Sequence, residues 1–265
     1  MALGIKAHYI RAILMNRLLL SIILICFTGS ITNSFSQQNT ALKLIRSTDF
    51  TQVDKTMDSS PKFEYEYELV EFIEEKFDDD LMRIRALYYW LARNIAYDKS
   101  YKRYHAEETF RHRSGVCSGF SELFASLAYD LNLEARIITG YAKGDGYRPG
   151  KPLSSNHAWN LVLFQGEWLP LDVTWSSCLK DYKHYFLTDP EQFIFSHLPL
   201  DEESNGRRHE PKLNAANQLL KRLVSYKLWD CLPDLYPEHF YKRPNRYRIS
   251  RYRKNILLQV RMLFR

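Results

Sequence analysis

The chain has 265 residues, of which 45% are hydrophobic and 14% aromatic, with a formal net charge of +6. That apolar content suffices for a packed core and excludes a disordered chain as the default. Three cations lie in the first 17 residues, and nine Lys or Arg with no acid lie in 242–265, so the body, 37–241, is net acidic and offers no general nucleic-acid-binding face.

Residues 1–36 read as a secretory leader: "MALGIKAHYIRAILMNR" is a basic n-region, "LLLSIILICF" an apolar core, and Ser34 and Ser36 are the small residues a cleavage site needs. The apolar run is short for a membrane span. Removal is therefore expected over retention as an anchor, and the mature chain is expected to be secreted or periplasmic. Cys26 follows Ile25 rather than the small residue of a lipid-modified leader. Three cysteines remain, Cys117, Cys178 and Cys231. An odd count leaves at least one thiol unpaired, and a Cys178–Cys231 bridge stays open. There is no C-x-x-C and no repeated Cys/His spacing, so neither a structural zinc nor any other metal or cofactor is expected.

Residues 37–78 form a lead-in, with one short helix expected in its polar first part and another over "YELVEFIEEKF". In "DDDLMRIRALYYWLARNIAYD" the stripe Leu81, Ile84, Leu87, Leu91 and Ile95 predicts a helix. The aspartates 78–80 suit its N-terminus better than a calcium loop, and Tyr88, Tyr89 and Trp90 are expected in the core. "CSGFSELFASLAYDLNL" predicts a further helix, and then the period changes. "ARIITGYA", "HAWNLVLF" and "EWLPLDVTW" read as strands, the last two joined through Gln165-Gly166 as a hairpin. "KHYFL" suggests another strand, "DPEQFIFSHLPL" a turn and short helix, and "LNAANQLLKRLVSYKLW" a helix within a C-terminal extension, 200–265. The basic tail from 242 is read as a solvated or partly helical end in preference to a membrane contact. Helices first and an antiparallel meander later make an α+β domain.

The chemistry centres on "RHRSGVCSGFSELF". Cys117 opens a helix, where unpaired N–H groups and the macrodipole favour a thiolate. Gly119 and Ser118 are expected to leave room for a substrate backbone. His157 starts a strand directly after a loop. Asp172 sits among apolar residues near the end of the next strand, where a buried carboxylate needs a partner. With a two-residue turn at 165–166, Asp172 falls opposite Trp159 and on the face of His157, a diagonal spacing of about 7–8 Å that side chains can bridge. A nucleophile, a base and an orienting acid are the parts of covalent acyl transfer. The Cys117 N–H is a natural oxyanion donor.

"GVCSGFSELFASLAYDLNLEARIITGYA", "NHAWNLVLFQGEWLPLDVTW" and "YFLTDPEQFIFSHLP" resemble the core of the transglutaminase-like superfamily, in its kyphoscoliosis-peptidase-like branch, over roughly 79–199. The resemblance implies a papain-like α+β core with N-terminal helices on an antiparallel sheet and Cys117, His157 and Asp172 as the catalytic triad. It departs at "LNLEA", where many relatives have Gly-Ile before the strand. The implied activity is that of an exported cysteine peptidase or amidase acting on a protein or peptide, a cell-envelope component among the candidates. Acyl transfer to an amine and a non-catalytic binding scaffold are the alternatives.

Overall fold

The computed structural model describes residues 40–144, 147–150, 156–200, 215–220 and 222–232. The expected leader and the basic tail lie outside these residues. Among the described residues no helix is long and apolar enough to cross a membrane.

The lead-in holds two short helices where one was expected, α1 over 40–47 and α2 over Thr51–Asp58. Helix α3, Glu66–Lys76, and helix α4, Asp80–Asn94, follow as the periodicity requires. Asp79 caps α4 by accepting from the N–H groups of Leu81 and Met82. The stripe from Leu81 to Ile95 and the Tyr88-Tyr89-Trp90 run are all buried. Arg85 is buried as well, because its guanidinium donates twice to Asp54 at 2.8 and 2.7 Å and once to the Tyr182 carbonyl. The rings of Phe50, Tyr88, Tyr89 and Phe186 surround it.

Strand β1, Ala96–Tyr97, pairs in parallel with β2, Ser114–Gly115, around helix α5, Ala106–His112. Helix α6, Cys117–Asp130, then starts at the cysteine itself. It closes in a Schellman motif: Asn132 takes φ +59, its N–H bonds the Tyr129 carbonyl, and the Leu133 N–H bonds that of Ala128. Asn is among the few residues that tolerate this conformation, so "LNLEA" ends the helix without a glycine.

The four-stranded sheet has the order β5-β4-β3-β6, antiparallel throughout. Its strands are β3, Ala135–Ala142, β4, His157–Phe164, β5, Glu167–Leu171, and β6, His197–Pro199. Gln165 and Gly166 both take positive φ, as a two-residue hairpin turn requires. The register is the expected one, with Phe164 opposite Glu167 and Asn160 opposite Leu171. One sheet face sends Val162, Phe164, Leu169 and Leu171 into the core shared with the helices. The other carries Ile138, Trp159 and Leu161 against Tyr185 and Phe193.

Three strand expectations are corrected. "VTW" is helical: it opens α7, Val173–Leu179, because Asp172 caps it. "KHYFL" forms turns and a bend. "SHLP", beyond the short helix α8, Pro190–Phe193, contributes the unforeseen edge strand β6, where the Leu200 N–H bonds the Thr139 carbonyl and Pro199, one residue away, needs no donor. The described part of the C-terminal helix is two pieces, α9, Ala215–Gln218, and α10, Tyr226–Cys231, separated at Leu219 by a positive φ. The second is fixed to the sheet by buried Lys143, whose Nζ donates to the carbonyls of Trp229 and Leu232 at 2.9 and 2.7 Å.

Gly140 sits where β3 is flanked by both neighbours. A Cβ there would lie 2.3 Å from the Leu198 carbonyl oxygen of β6 and 2.6 Å from the Trp159 ring. Gly140→Ala should therefore cost about 1–3 kcal/mol, read as a lowered urea midpoint.

Candidate active site

The site forms where helix, hairpin and edge strand meet. Val116 precedes α6 without a side-chain cap, so the first N–H groups of the helix remain available near Cys117. The segment before α5 braces this end. The Arg103 carbonyl accepts from the Val116 N–H at 2.9 Å, and the Tyr104 carbonyl accepts from the Ser118 hydroxyl at 3.1 Å. Gly119 does not leave space for a substrate: a Cβ there would lie 2.3 Å from Thr109 Oγ1 and 3.1 Å from the Arg103 carbonyl oxygen. The glycine serves helix packing.

His157 heads β4 and is buried, its ring between those of Trp159 and Trp175. Its Nε2 is 2.6 Å from Asp172 Oδ2. The other ring nitrogen is thereby left for Cys117, and the two side chains lie near enough to shift each other's pKa. Asp172 follows β5 and is fully buried. Its N–H donates to the Tyr185 carbonyl at 2.9 Å, and its Oδ1 accepts from the Trp175 N–H at 2.9 Å. The structure thus brings all three sequence-identified residues together.

The electrostatics favour charge separation. Burial alone would push the His157 imidazole down, but the Asp172 charge and hydrogen bond, with Cys117 adding to them, push it up to about 10. Burial would raise the Cys117 thiol, yet the hydrogen bond and charge of His157 bring it below its ordinary value. Asp172 is held well below the carboxylate range, since its two imidazole partners outweigh its burial. Both shifts run in the direction that favours a thiolate–imidazolium pair over a thiol beside a neutral imidazole.

One residue escaped the sequence reading. His197 of β6 is fully buried, and its Nε2 is 3.0 Å from the same Asp172 oxygen. Its only sequence signal was its place inside "YFLTDPEQFIFSHLP", and no spacing tied it to Asp172. The potential ligand atoms of His157, Asp172 and His197 lie within 4.8 Å of one another. Tetrahedral zinc with bonds of about 2.0–2.2 Å would hold its ligand atoms about 3.3 Å apart. The separations of 2.6 and 3.0 Å are those of hydrogen bonds. Cys178 and Cys231 are both exposed and form no disulfide, so the bridge left open by the sequence is not made.

A helix-borne cysteine set against a strand-borne histidine and its carboxylate belongs to the papain-like architecture, here on an α+β scaffold. Residues 67–173 match the family model described as the transglutaminase-like superfamily. The chain is 32% identical over 150 residues to kyphoscoliosis peptidase of Mus musculus and of Homo sapiens, covering 50% of this chain and 23% of theirs. It is 30% identical over 134 residues to hillarin of Drosophila melanogaster, covering 42% and 15%. The match thus spans under a quarter of these relatives' own length. Among solved structures, the periplasmic domain of TgpA from Pseudomonas aeruginosa aligns with 52% of this chain and 53% of its own, at 19% identity and a TM-score of 0.37.

Proposed function

We propose that the chain is an exported cysteine-dependent peptidase or amidase that works through an acyl-enzyme. The observation that carries this reading is the partly exposed Cys117 thiol at a helix start, its pKa lowered by an imidazole that Asp172 holds by a 2.6 Å hydrogen bond. Export rests on the leader pattern of residues 1–36.

In this reading the Cys117 proton resides on His157, and the sulfur attacks the carbonyl carbon of an amide. The C=O π pair moves to oxygen, where the Cys117 N–H at the helix start receives it. As the tetrahedral adduct collapses, the C–N bond breaks and His157 passes its proton to the leaving amine. A thioester on Cys117 remains. Water, giving its proton to His157, then attacks the thioester carbonyl, and the thiol and a carboxylic acid are released. Asp172 keeps the imidazole in one tautomer and offsets its charge throughout. An amine in place of water would make the same intermediate a transfer reaction.

Site-resolved mass spectrometry after brief exposure to iodoacetamide tests the reading. An ordinary thiol loses about tenfold in reactivity per unit of pH below about 8.5. Cys117 should retain rapid alkylation at pH 6, and His157→Ala should slow it at least about tenfold. Equal, slow labelling in both proteins would leave a binding scaffold. A peptide library with an added amine, scored for cleavage against amine incorporation, then separates hydrolysis from transfer.

A further inference from the structure

His197 lies outside the segment matched by the family model, 67–173, yet it is fully buried within the hydrogen-bond network of the site. Asp172 Oδ2 faces two imidazole nitrogens, His157 Nε2 at 2.6 Å and His197 Nε2 at 3.0 Å, while Oδ1 is occupied by the Trp175 N–H. The far side of the second imidazole is occupied too, since His197 Nδ1 is 2.8 Å from Ser196 Oγ. A carboxylate only accepts, so Nε2 carries the N–H, and the Ser196 hydroxyl, whose other acceptor is the Phe193 carbonyl at a longer 3.3 Å, donates to Nδ1. Phe193 stacks on the ring at 4.0 Å and 18°, and Trp175 lies against it at 4.5 Å. The ring is therefore fixed in position and in tautomer.

We propose that His197 is a positioning residue of this site: a neutral imidazole, locked by Ser196, donates to Asp172 and sets how tightly that carboxylate grips the His157 imidazolium. This rests on the catalytic reading above for its purpose, but not for its chemistry.

The two histidines share an oxygen and have opposite characters. Burial, together with the positive charge of His157 and His184, outweighs the attraction of Asp172 and holds His197 down at about 4. A second imidazolium on the same oxygen would compete with the first, whereas a neutral donor takes up part of the carboxylate's charge and moderates its pull. The titratable groups facing the pair are Cys117 from α6, Asp172 between β5 and α7, His157 on β4, and His184 in the turn that follows α7. The hydrogen bond from His197 is stronger when Asp172 lacks its imidazolium partner, because the carboxylate is then more negative. Removing His197 therefore destabilises the deprotonated His157 state more than the ion pair, and His157 should hold its proton more firmly.

The test is NMR titration of the imidazole nitrogens of His157, assigned by the signals lost in His157→Asn, in the full-length protein. His197→Phe keeps the stacked ring and deletes the donor; His197→Gln supplies an amide N–H in its place. The expected result is an upward shift of His157 titration by about 0.5–1 unit in His197→Phe, largely reversed in His197→Gln. Ser196→Ala frees the tautomer with little loss of packing and should shift it the same way by less, which keeps the test open if the phenylalanine variant does not fold. A folded His197→Phe or Ser196→Ala protein with unmoved titration, or with a downward shift, would falsify the proposal and leave His197 as core packing. Absence of peptide turnover with the shift intact would instead sink the enzymatic reading alone.

Discussion

Asp172→Ala should both inactivate the protein and bring it close to unfolding. The carboxylate is fully buried, with two imidazole nitrogens on one oxygen and the Trp175 N–H on the other. Deleting it strands the His157 charge in an apolar setting, and breaking such a buried pair costs about 3–5 kcal/mol. The helix-capping bond of α7 is lost as well, typically worth about 1 kcal/mol. Urea unfolding followed by circular dichroism should show this as a large fall in midpoint with m retained. Acid should reveal the same groups in the unaltered protein. Asp172, held low, and His197, held at about 4, both bind protons less readily folded than unfolded. The His197 contribution to stability is complete above about pH 6.5 and is lost as pH falls through 4, whereas that of Asp172 is complete above about pH 4 and is lost only in stronger acid, as pH falls through its lowered folded value. His157, raised to about 10, works the other way: its contribution is complete below about 6.5 and fades as pH climbs through 10. In Asp172→Ala the acid dependence should flatten. A variant as stable as the parent would show that the network is not holding this part of the fold together. Asp172→Asn retains an acceptor for the α7 cap but presents an amide to His157, so it should stay folded while losing about 10⁴-fold in kcat through the wrong tautomer.

Cys117→Ala should leave the fold intact and abolish turnover of any peptide the parent cleaves, a loss of about 10⁴-fold or more. The thiol is only partly buried at the first turn of α6, so truncation leaves no large cavity, and the melting temperature should move by a degree or two. The charge bookkeeping also favours tolerance, because Asp172 still balances the His157 imidazolium when the thiolate is gone. Turnover that survives this substitution would place the nucleophile elsewhere. Cys178 and Cys231, both exposed, serve as internal controls, since their replacement should leave the rate unchanged.

Much of this architecture could be read from residue order, for definite reasons. The stripe from Leu81 to Ile95 has helical spacing and an aspartate at its start, and α4 follows both signals. The Gln165-Gly166 turn fixes the register of β4 and β5 and so places Asp172 near His157. Where the reading failed, tertiary context overrode local preference. "VTW" is β-branched and aromatic and looks like a strand, yet the Asp172 side chain offers a helix cap, and the chain turns with it. "SHLP" contains a proline and spans only three paired residues, too short for periodicity to register, yet β3 has an unpaired edge and accepts it. His197 was unreadable for a related reason. Its partner lies 25 residues upstream, and the approach depends on β6 lying beside β3, which no local pattern encodes.

The Schellman turn at Asn132 and the hairpin at Gln165-Gly166 are short-range events, whereas the pairing of β6 with β3 joins segments some 57 positions apart, as at Tyr141 and Leu198. Closures of that span are slow relative to local turns. Before this strand docks, Asp172 lacks only its second imidazole, since the pairing of β4 with β5 already sets the His157 ring against it. The hairpin thus assembles the imidazole and its acid through local contacts, and the distant strand adds the second imidazole to a pair already formed.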